Sequence, residues 1–329
     1  MQAAGFGLAI IGSGQIARKV LKEIHEDCSS IAVYSRNKEK SEQLCNRYNA
    51  KNHASYNDVL NDDRVEGIYV ATPHTTHYQF IVQALSAGKP VISEKPIVMN
   101  GKQLDNVIAL SKKNNVYFTE IMWFRHTQLF QKLKELVNNG ELGEIVEINA
   151  DIGFDAYVLP RRKRLLDYEA GGGALLDIGV YMLSILEFLF GDEIRKSDVE
   201  IDTEFSEQKV DINDKITVNV NGITCNLECS LKKLMPTNFV IEFTKGKITV
   251  PSFFRPSKMI VEDTAKGTSD EVTEPFTYRT QFINNFSDIK DVKIESIQNS
   301  HKAISNTMFL MDEIRRKSGI IYESSLEAY

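Results

Sequence analysis

Short apolar runs alternate with amphipathic segments over residues 1–121. The apolar runs are rich in valine, isoleucine, tyrosine and phenylalanine, which favour β-strands. They lie at Phe6–Ile11, Ser30–Tyr34, Gly67–Ala71, Pro90–Ser93 and Tyr117–Glu120. The segments between them are predicted helices, at Ile16–Glu26, Lys38–Tyr48, Tyr56–Leu60, Thr75–Ala87 and Gly101–Asn114. Strands that alternate with helices predict the α/β class, with a doubly wound parallel sheet.

The pattern changes near residue 122. Short apolar runs now follow one another with turn signals between them, which is typical of antiparallel strands. Strands are predicted at Glu144–Ile152, Val199–Phe205, Lys215–Val220, Thr224–Leu231, Phe239–Thr244 and Lys247–Val250, and helices at 127–139, Gly173–Phe190, Arg279–Lys290 and Ile294–Lys317. We therefore predict two domains, at 1–121 and 122–329, the second an α+β domain with an open, mainly antiparallel sheet.

Composition and charge restrict the class of protein. Hydrophobic residues make up 42% and charged residues 26%, as in a folded chain rather than a disordered one. A formal net charge of -6 argues against nucleic acid or an anionic membrane as partner. The start lacks the basic residues of a signal peptide, the stretch Gly179–Gly191 is expected to be too short to span a bilayer, and the four cysteines are expected to be free thiols. We expect a cytoplasmic enzyme or binding protein without a metal site.

The first motif lies between the first strand and the first helix. Gly12, Ser13, Gly14, Gln15 and Ile16 belong to a G-x-G-x-x-A pattern that Ala17 completes. The first glycine permits a tight turn, and the second lets a pyrophosphate approach the backbone at a helix N-terminus. The pattern predicts dinucleotide binding; the alternative is a glycine-rich turn without a ligand.

The end of the second strand indicates which dinucleotide binds. An NAD site usually places an acidic residue there, to bind the ribose hydroxyls. Here Ser35 and Arg36 follow the strand, and the first acid is Glu39. A hydroxyl and a guanidinium suit a phosphate, so that NADP is favoured over NAD. The alternative is that Arg36 stacks on the adenine or lies in solvent.

Three further motifs resemble those of the Gfo/Idh/MocA oxidoreductase family. They are Ala71-Thr72-Pro73-His74-Thr75-Thr76-His77, Glu94-Lys95-Pro96 and Gly171-Gly172-Gly173-Ala174-Leu175-Leu176-Asp177-Ile178-Gly179-Val180-Tyr181. The Asp-x-Gly-x-Tyr segment is similar to the dihydrodiol dehydrogenase and glucose–fructose oxidoreductase branch. The resemblance implies a Rossmann domain followed by a domain that binds substrate and forms a homodimer or homotetramer through its sheet.

The resemblance also implies the reaction. It is an NADP-dependent hydride transfer involving a carbinol or carbonyl of a sugar, polyol or dihydrodiol, with Lys95, Asp177 and Tyr181 as the catalytic residues. A phenol has an ordinary pKa of about 10, which a nearby ammonium such as Lys95 would lower. Asp177 and Tyr181 are four residues apart on one predicted helix and so share a face. The alternatives are a core aromatic for Tyr181, dipole compensation for Asp177 and a solvated lysine for Lys95.

The remaining candidates are expected to contact the cofactor. They are Thr72, Pro73, His74, His77, Glu94, Trp123 and Arg125. His77 is expected to support its loop and His74 to contact the ribose or nicotinamide, or to be inert. Trp123 and Arg125 belong to a segment similar to the family's Met-Trp-x-Arg pattern, with core packing as the alternative for Trp123. The segment departs from the family pattern at His126 and Gln128.

Two questions remain open in the sequence. The basic run Arg161–Arg164 is either a solvated loop or a source of a cation that meets the substrate. A non-catalytic NAD(P)-sensing protein on the same fold is the alternative function, although the retention of Lys95, Asp177 and Tyr181 argues against it. We interpret His301 as structural.

Overall fold

The computed structural model describes residues 5–158, 160–291 and 294–327, which form two compact units. Within these ranges, unit 1 comprises residues 5–121 and 277–301, and unit 2 comprises residues 122–276 and 302–327.

Six described strands form a parallel sheet in unit 1. They are β1 (Phe6–Ile11), β2 (Cys28–Tyr34), β3 (Lys51–Asn52), β4 (Gly67–Val70), β5 (Val91–Ser93) and β6 (Phe118–Glu120). Their order is β3-β2-β1-β4-β5-β6, so the direction of winding reverses between β1 and β4. Ligands of open α/β sheets bind at this point, outside the carboxyl ends of the strands. The predicted doubly wound sheet is confirmed, although the sequence analysis missed β3, which has only two residues, both polar.

Five helices connect these strands. They are α1 (Gln15–Ile24), α2 (Lys38–Tyr48), α3 (Tyr56–Leu60), α4 (His77–Ser86) and α5 (Gly101–Asn114). Side chains of Asn37, Ser55 and Asn100 cap the N-termini of α2, α3 and α5. These three helices have the predicted bounds, because their caps are local sequence signals.

Unit 2 contains an eight-stranded sheet in its described part, together with α6 (Gln128–Asn139) and α7 (Val180–Phe190). The strands are β7 (Ile145–Gly153), β8 (Asp198–Phe205), β9 (Asp211–Val220), β10 (Ile223–Ser230), β11 (Asn238–Phe243), β12 (Gly246–Pro251), β13 (Lys258–Asp263) and β14 (Thr268–Thr273). Their order is β14-β13-β12-β11-β7-β10-β9-β8, and β7 pairs in parallel with β10. The other described pairs are antiparallel, which confirms the predicted mainly antiparallel sheet. The sequence analysis did not identify β13 and β14.

The helical segment around α7 is longer than the sequence analysis indicated. With the shorter helical turns on both sides of α7 it extends from Tyr168 to Lys196, interrupted by non-helical backbone at residues 171–173. By length and composition alone this longer segment could cross a membrane, which the prediction from the stretch Gly179–Gly191 did not anticipate. Most of its apolar window is nevertheless buried inside the protein, as in a core helix.

The last two helices are α8 (Tyr278–Asp291) and α9 (Ile294–Ser318). The predicted second domain, 122–329, included both helices. In the structure, residues 277–301 belong to unit 1 instead. Arg279 forms a two-pronged ion pair with Asp27 (2.5 and 2.8 Å), and Phe282 packs edge-on against Tyr69. His301 stacks on Phe118 with ring centroids 4.0 Å apart, and burial lowers its pKa to about 4. These long-range contacts explain why residues 277–301 belong to unit 1 and not to the predicted second domain.

Candidate functional site

The glycine-rich turn of unit 1 is built for close backbone approach. Gly12 has φ +111°, and a Cβ there would lie 2.4 Å from the carbonyl oxygen of Ala71. Its amide donates to the carbonyl of Tyr34 (2.8 Å). The turn therefore runs between the carboxyl ends of β2 and β4, where a residue with a side chain would clash.

The start of α1 can hold the phosphates of a dinucleotide. Gly14 is its N-cap, and a Cβ on Gly14 would meet no atom of the described residues within 4 Å. No side chain among the described residues caps this helix, and its first turn carries no acid. Gly14 and Gln15 are exposed, while Ala17 is buried against the sheet. Free amides, the positive end of the helix dipole and open space fit a pyrophosphate.

The end of β2 presents hydroxyl groups and an exposed guanidinium. The hydroxyl oxygens of Ser13 and Ser35 lie 2.8 Å apart, which joins the glycine turn to the end of β2. Arg36 is exposed and Asn37 caps α2, so the acid usual at an NAD site is absent from this position of the sequence. These groups fit a phosphate on the ribose.

His77 connects two loops at the same edge of the sheet. Its Nδ1 lies 2.9 Å from the carbonyl oxygen of Pro96, and its Nε2 lies 2.9 Å from that of Thr72. The hydroxyl of Thr76 donates to Thr72 Oγ1 (2.8 Å) and so holds the loop that contains Thr72. Since both ring nitrogens of His77 face protein carbonyls, this residue positions the loops. His74 is buried at the start of the same loop.

Glu94 and Lys95 follow β5. The hydroxyl of Tyr69 donates to Glu94 Oε1 (2.6 Å) in the interior of unit 1. Burial raises the pKa of Glu94 to about 7, against the opposing effects of the Tyr69 hydroxyl and the Lys95 ammonium. Lys95 is 8% exposed. The Tyr69 hydroxyl therefore holds the Glu94 carboxyl in the interior of unit 1, and the contact of Glu94 with the cofactor remains a prediction.

The triple glycine of unit 2 lies where backbone and side chains crowd together. A Cβ on Gly172 would lie 2.5 Å from the carbonyl oxygen of Leu165, and one on Gly173 would lie 2.2 Å from Asp211 Oδ1. Gly173 also has φ +128°, and its amide donates to Leu165 O (2.8 Å). These close approaches explain the glycines and tie residues 165–167 to the start of the following helix.

Asp177 lies in a π-helical turn, Leu175–Gly179, that leads into α7. The prediction of one uninterrupted α-helix is corrected here, and π-turns are frequent at functional sites. Arg164 Nη2 lies 3.2 Å from Asp177 Oδ1, in an ion pair whose guanidinium is half exposed. One cation of the basic run therefore contacts the candidate acid, and the side chains of Arg161 and Arg162 lie outside the described residues.

Tyr181 lies at the start of α7 and is 6% exposed. Its ring packs against Phe254 with centroids 5.7 Å apart, and the guanidinium of Arg255 lies over Phe254. Sequence reasoning missed both residues, which come from the segment after β12. The ring is thus held on one side by aromatic packing.

Trp123 and Arg125, both predicted to contact the cofactor, make their described contacts within unit 2. Arg125 Nη2 lies 2.6 Å from Glu187 Oε2 and 2.9 Å from Ser184 Oγ, both on α7. Trp123 is 2% exposed and packs edge-on against Phe276, which favours the core alternative. Arg125 therefore neutralises the buried Glu187 and fixes its segment to the helix that carries Tyr181.

Comparison with known proteins relates both units to one family. Residues 6–121 match "Oxidoreductase family, NAD-binding Rossmann fold", and residues 130–249 match "GFO/IDH/MocA C-terminal domain". A trans-1,2-dihydrobenzene-1,2-diol dehydrogenase of Xenopus laevis is 29% identical over 312 residues, covering 90% of this chain and 92% of the relative. A D-xylose 1-dehydrogenase (NADP(+)) of Hypocrea jecorina is 30% identical over 172 residues, covering 49% of this chain and 44% of the relative.

Solved structures share the fold. A 3-ketoreductase from Actinomadura kijaniata, in complex with NADP and TDP-benzene, has a TM-score of 0.85 at 21% identity, covering 95% of this chain and 98% of that chain. An NAD-binding protein from Listeria innocua has a TM-score of 0.75 at 23% identity, covering 95% of each chain. At these identities the likeness concerns the fold.

Proposed function

This chain belongs to the Gfo/Idh/MocA oxidoreductase family, and on that premise we propose an NADP-dependent hydride transfer involving a carbinol or carbonyl carbon of a sugar, polyol or dihydrodiol. The observation that carries the proposal is the carboxyl edge of the sheet in unit 1. There the Gly12–Gly14 turn opens α1, and Lys95 follows β5. The relatives named as diol and xylose dehydrogenases support an alcohol substrate.

Each part of this edge has a role in holding the cofactor. The first amides of α1 bind the pyrophosphate, and Ser13, Ser35 and Arg36 bind the phosphate on the ribose. His77 and Thr76 hold the loop of Thr72 and Pro73 in place. When bound, the nicotinamide supplies or accepts the hydride.

The proposed proton transfer uses Tyr181. Oxidation of an alcohol releases the hydroxyl proton, which the Tyr181 phenolate accepts and returns in the reverse direction. Lys95 assists by favouring the phenolate. Asp177 accepts a hydrogen bond from a substrate hydroxyl, and its ion pair with the Arg164 guanidinium helps to hold the carboxylate in place. A homodimer or homotetramer through the sheet of unit 2 and a cytoplasmic location remain predictions.

The function is tested by absorbance at the NADPH band. NADP and NAD are each assayed with sugars, polyols and dihydrodiols, and the corresponding carbonyl compounds are assayed with NADPH. We expect turnover with at least one substrate and a higher kcat/KM with NADP than with NAD. Tight NADPH binding without turnover of any substrate would favour the sensing protein instead.

Arg36 is expected to determine the preference for NADP. A hydrogen bond to a charged group contributes about 1.5–3 kcal/mol, so Arg36→Ala should weaken NADPH binding by about 10- to 100-fold. Binding of NADH should change by less than about threefold, since NADH lacks that phosphate. Calorimetric titration measures both affinities, with exposed Lys22→Ala at the far end of α1 as the control. Equal losses for the two cofactors would contradict the assignment.

A further inference from the structure

Two buried carboxyl groups lie beneath the triple glycine of unit 2. Asp211 and Asp214 both belong to β9, and each is 0% exposed. They lie 30 and 33 residues beyond Tyr181 in the sequence, and the sequence analysis did not select them. The proposed proton and hydride transfers do not use them.

Asp211 holds the start of the helix that carries Asp177 and Tyr181. Its Oδ2 accepts a hydrogen bond from the amide of Leu175 (2.6 Å), the first residue of the π-turn, and its carboxyl also accepts from the amide of Ala174. The absence of a side chain at Gly173 leaves the space that its Oδ1 occupies. A carboxylate here satisfies N-terminal amides and interacts favourably with the helix dipole.

The pair requires a proton. Among the described residues, Oδ1 of each carboxyl is buried and receives no hydrogen bond from another group when both carboxyls are ionised. The two side chains lie within hydrogen-bonding reach of each other, so a proton on one supplies the donor that the other lacks. Two uncompensated charges at this depth would be costly. Asp211 already accepts amide hydrogen bonds, which favours its ionised form and leaves the proton on Asp214.

The surrounding groups are neutral donors or cations with other partners, and the hydroxyl of Thr203, on β8, acts to lower the pKa of Asp214 without overcoming burial. The thiol of Cys229, on β10, donates to Asp214 Oδ2 (3.5 Å). The hydroxyl of Tyr322 donates to the carbonyl of Gly172, and the guanidinium of Arg315 lies over the Tyr322 ring while paired with Glu327. Burial raises the pKa values of Cys229 and Tyr322, so both remain neutral donors. The one cation among these groups, Arg315, is already paired with Glu327.

We propose that Asp211, sharing a proton with Asp214, is a positioning residue that fixes the π-turn presenting Asp177 and Tyr181. This assignment rests on the proposed function, because it gives the placement of those two residues a catalytic purpose. Asp214 is the proton carrier of the pair. Loss of that proton leaves two buried carboxylates that repel each other, which destabilises the start of the helix.

The stability of the folded chain should fall as the pH rises. Burial, and next the charge of Asp211, raise the pKa of Asp214 well above its ordinary value. The folded chain therefore retains a proton that the unfolded chain loses above about pH 4. The unfolding equilibrium constant should rise up to about tenfold per pH unit from there until the folded pair gives up its proton.

The first test measures that proton. Urea unfolding of the full chain is followed from pH 5 to 9 by the fluorescence of Trp123, the one tryptophan of the sequence, which lies in unit 2. Asp214→Asn should remove one proton's contribution to the pH dependence of the free energy of unfolding. The asparagine amide can donate a hydrogen bond to Asp211 but does not titrate. The exposed Asp202→Asn on β8 is the matched control. A pH dependence that is the same in wild type and Asp214→Asn would overturn the shared proton.

The second test separates positioning from general stability. Asp211→Asn removes the charge at the helix start, so hydrogen exchange in residues 174–181 should rise at least tenfold, and more than in Asp214→Asn. In an active enzyme, kcat should fall about tenfold or more while the Kd for NADPH changes less than threefold. Exchange and kcat equal to those of Asp202→Asn would overturn the positioning role. Absence of turnover in the wild type would contradict the proposed function, and the exchange and proton measurements would still decide this inference.

Discussion

Replacing Tyr181 by phenylalanine is expected to lower kcat by about 10²- to 10⁴-fold, the usual contribution of a positioned proton-transfer group. The ring of Tyr181 is buried against Phe254, and phenylalanine preserves that packing. The substitution therefore removes the hydroxyl and little else. The Kd for NADPH should change by less than threefold, because the dinucleotide is assigned to unit 1.

Steady-state kinetics and NADPH titration together measure this result. Tyr48→Phe on α2 is the matched control, since its ring packs beside His25 in unit 1 and has no assigned role. A kcat within threefold of the wild-type value would exclude Tyr181 as the proton-transfer group. A similar loss in kcat and NADPH affinity would instead indicate a structural role.

Lys95→Met is expected to reduce kcat by about 10²- to 10³-fold, comparable to the loss of one preorganised electrostatic donor. Methionine has a similar unbranched side chain, so it fills the largely buried position of Lys95 without the ammonium. Exposed Lys113→Met at the end of α5 is the control. Activity equal to that of the control would contradict a catalytic role for Lys95.

The same variant should change the pH dependence of stability. Burial raises the pKa of Glu94 to about 7, and the charge of Lys95 acts in the opposite direction. Without that charge the pKa of Glu94 rises further. A raised folded pKa contributes stability that is present below the unfolded pKa, about 4.3, and is lost as pH rises through the folded value. Lys95→Met should therefore lose more stability than wild type between pH 5 and pH 8, as measured by urea unfolding.

Much of the fold was predictable because its signals are local. The bounds of α2, α3 and α5 follow from caps at Asn37, Ser55 and Asn100. In contrast, β14 is almost entirely polar, and it becomes a strand through its pairing with β13. Residues 277–301 belong to unit 1 because of side-chain contacts with residues more than 150 positions away. No periodicity in the sequence records such contacts.

The candidate site shows the same division. The positive φ of Gly12 is a local requirement of the turn after β1, whereas its close approach to the carbonyl of Ala71 depends on where β4 lies. The partners of the predicted residues are not local: Arg164 is 13 positions from Asp177, and Arg125 is 62 positions from Glu187. The sequence indicated Arg125 as a cofactor contact, whereas its ion pair on α7 depends on where that helix lies.

Local patterns in the sequence predicted the alternation of strands and helices and the glycine turn of a dinucleotide site, because these features depend on backbone preferences and side-chain periodicity within a few residues. The motif that contains Asp177 and Tyr181 was identified by its resemblance to the family. The tertiary structure alone decided the π-turn at Leu175–Gly179, its anchor at Asp211 and the neighbouring Asp214. Burial creates the need for a shared proton, and burial arises only when distant strands and helices pack together.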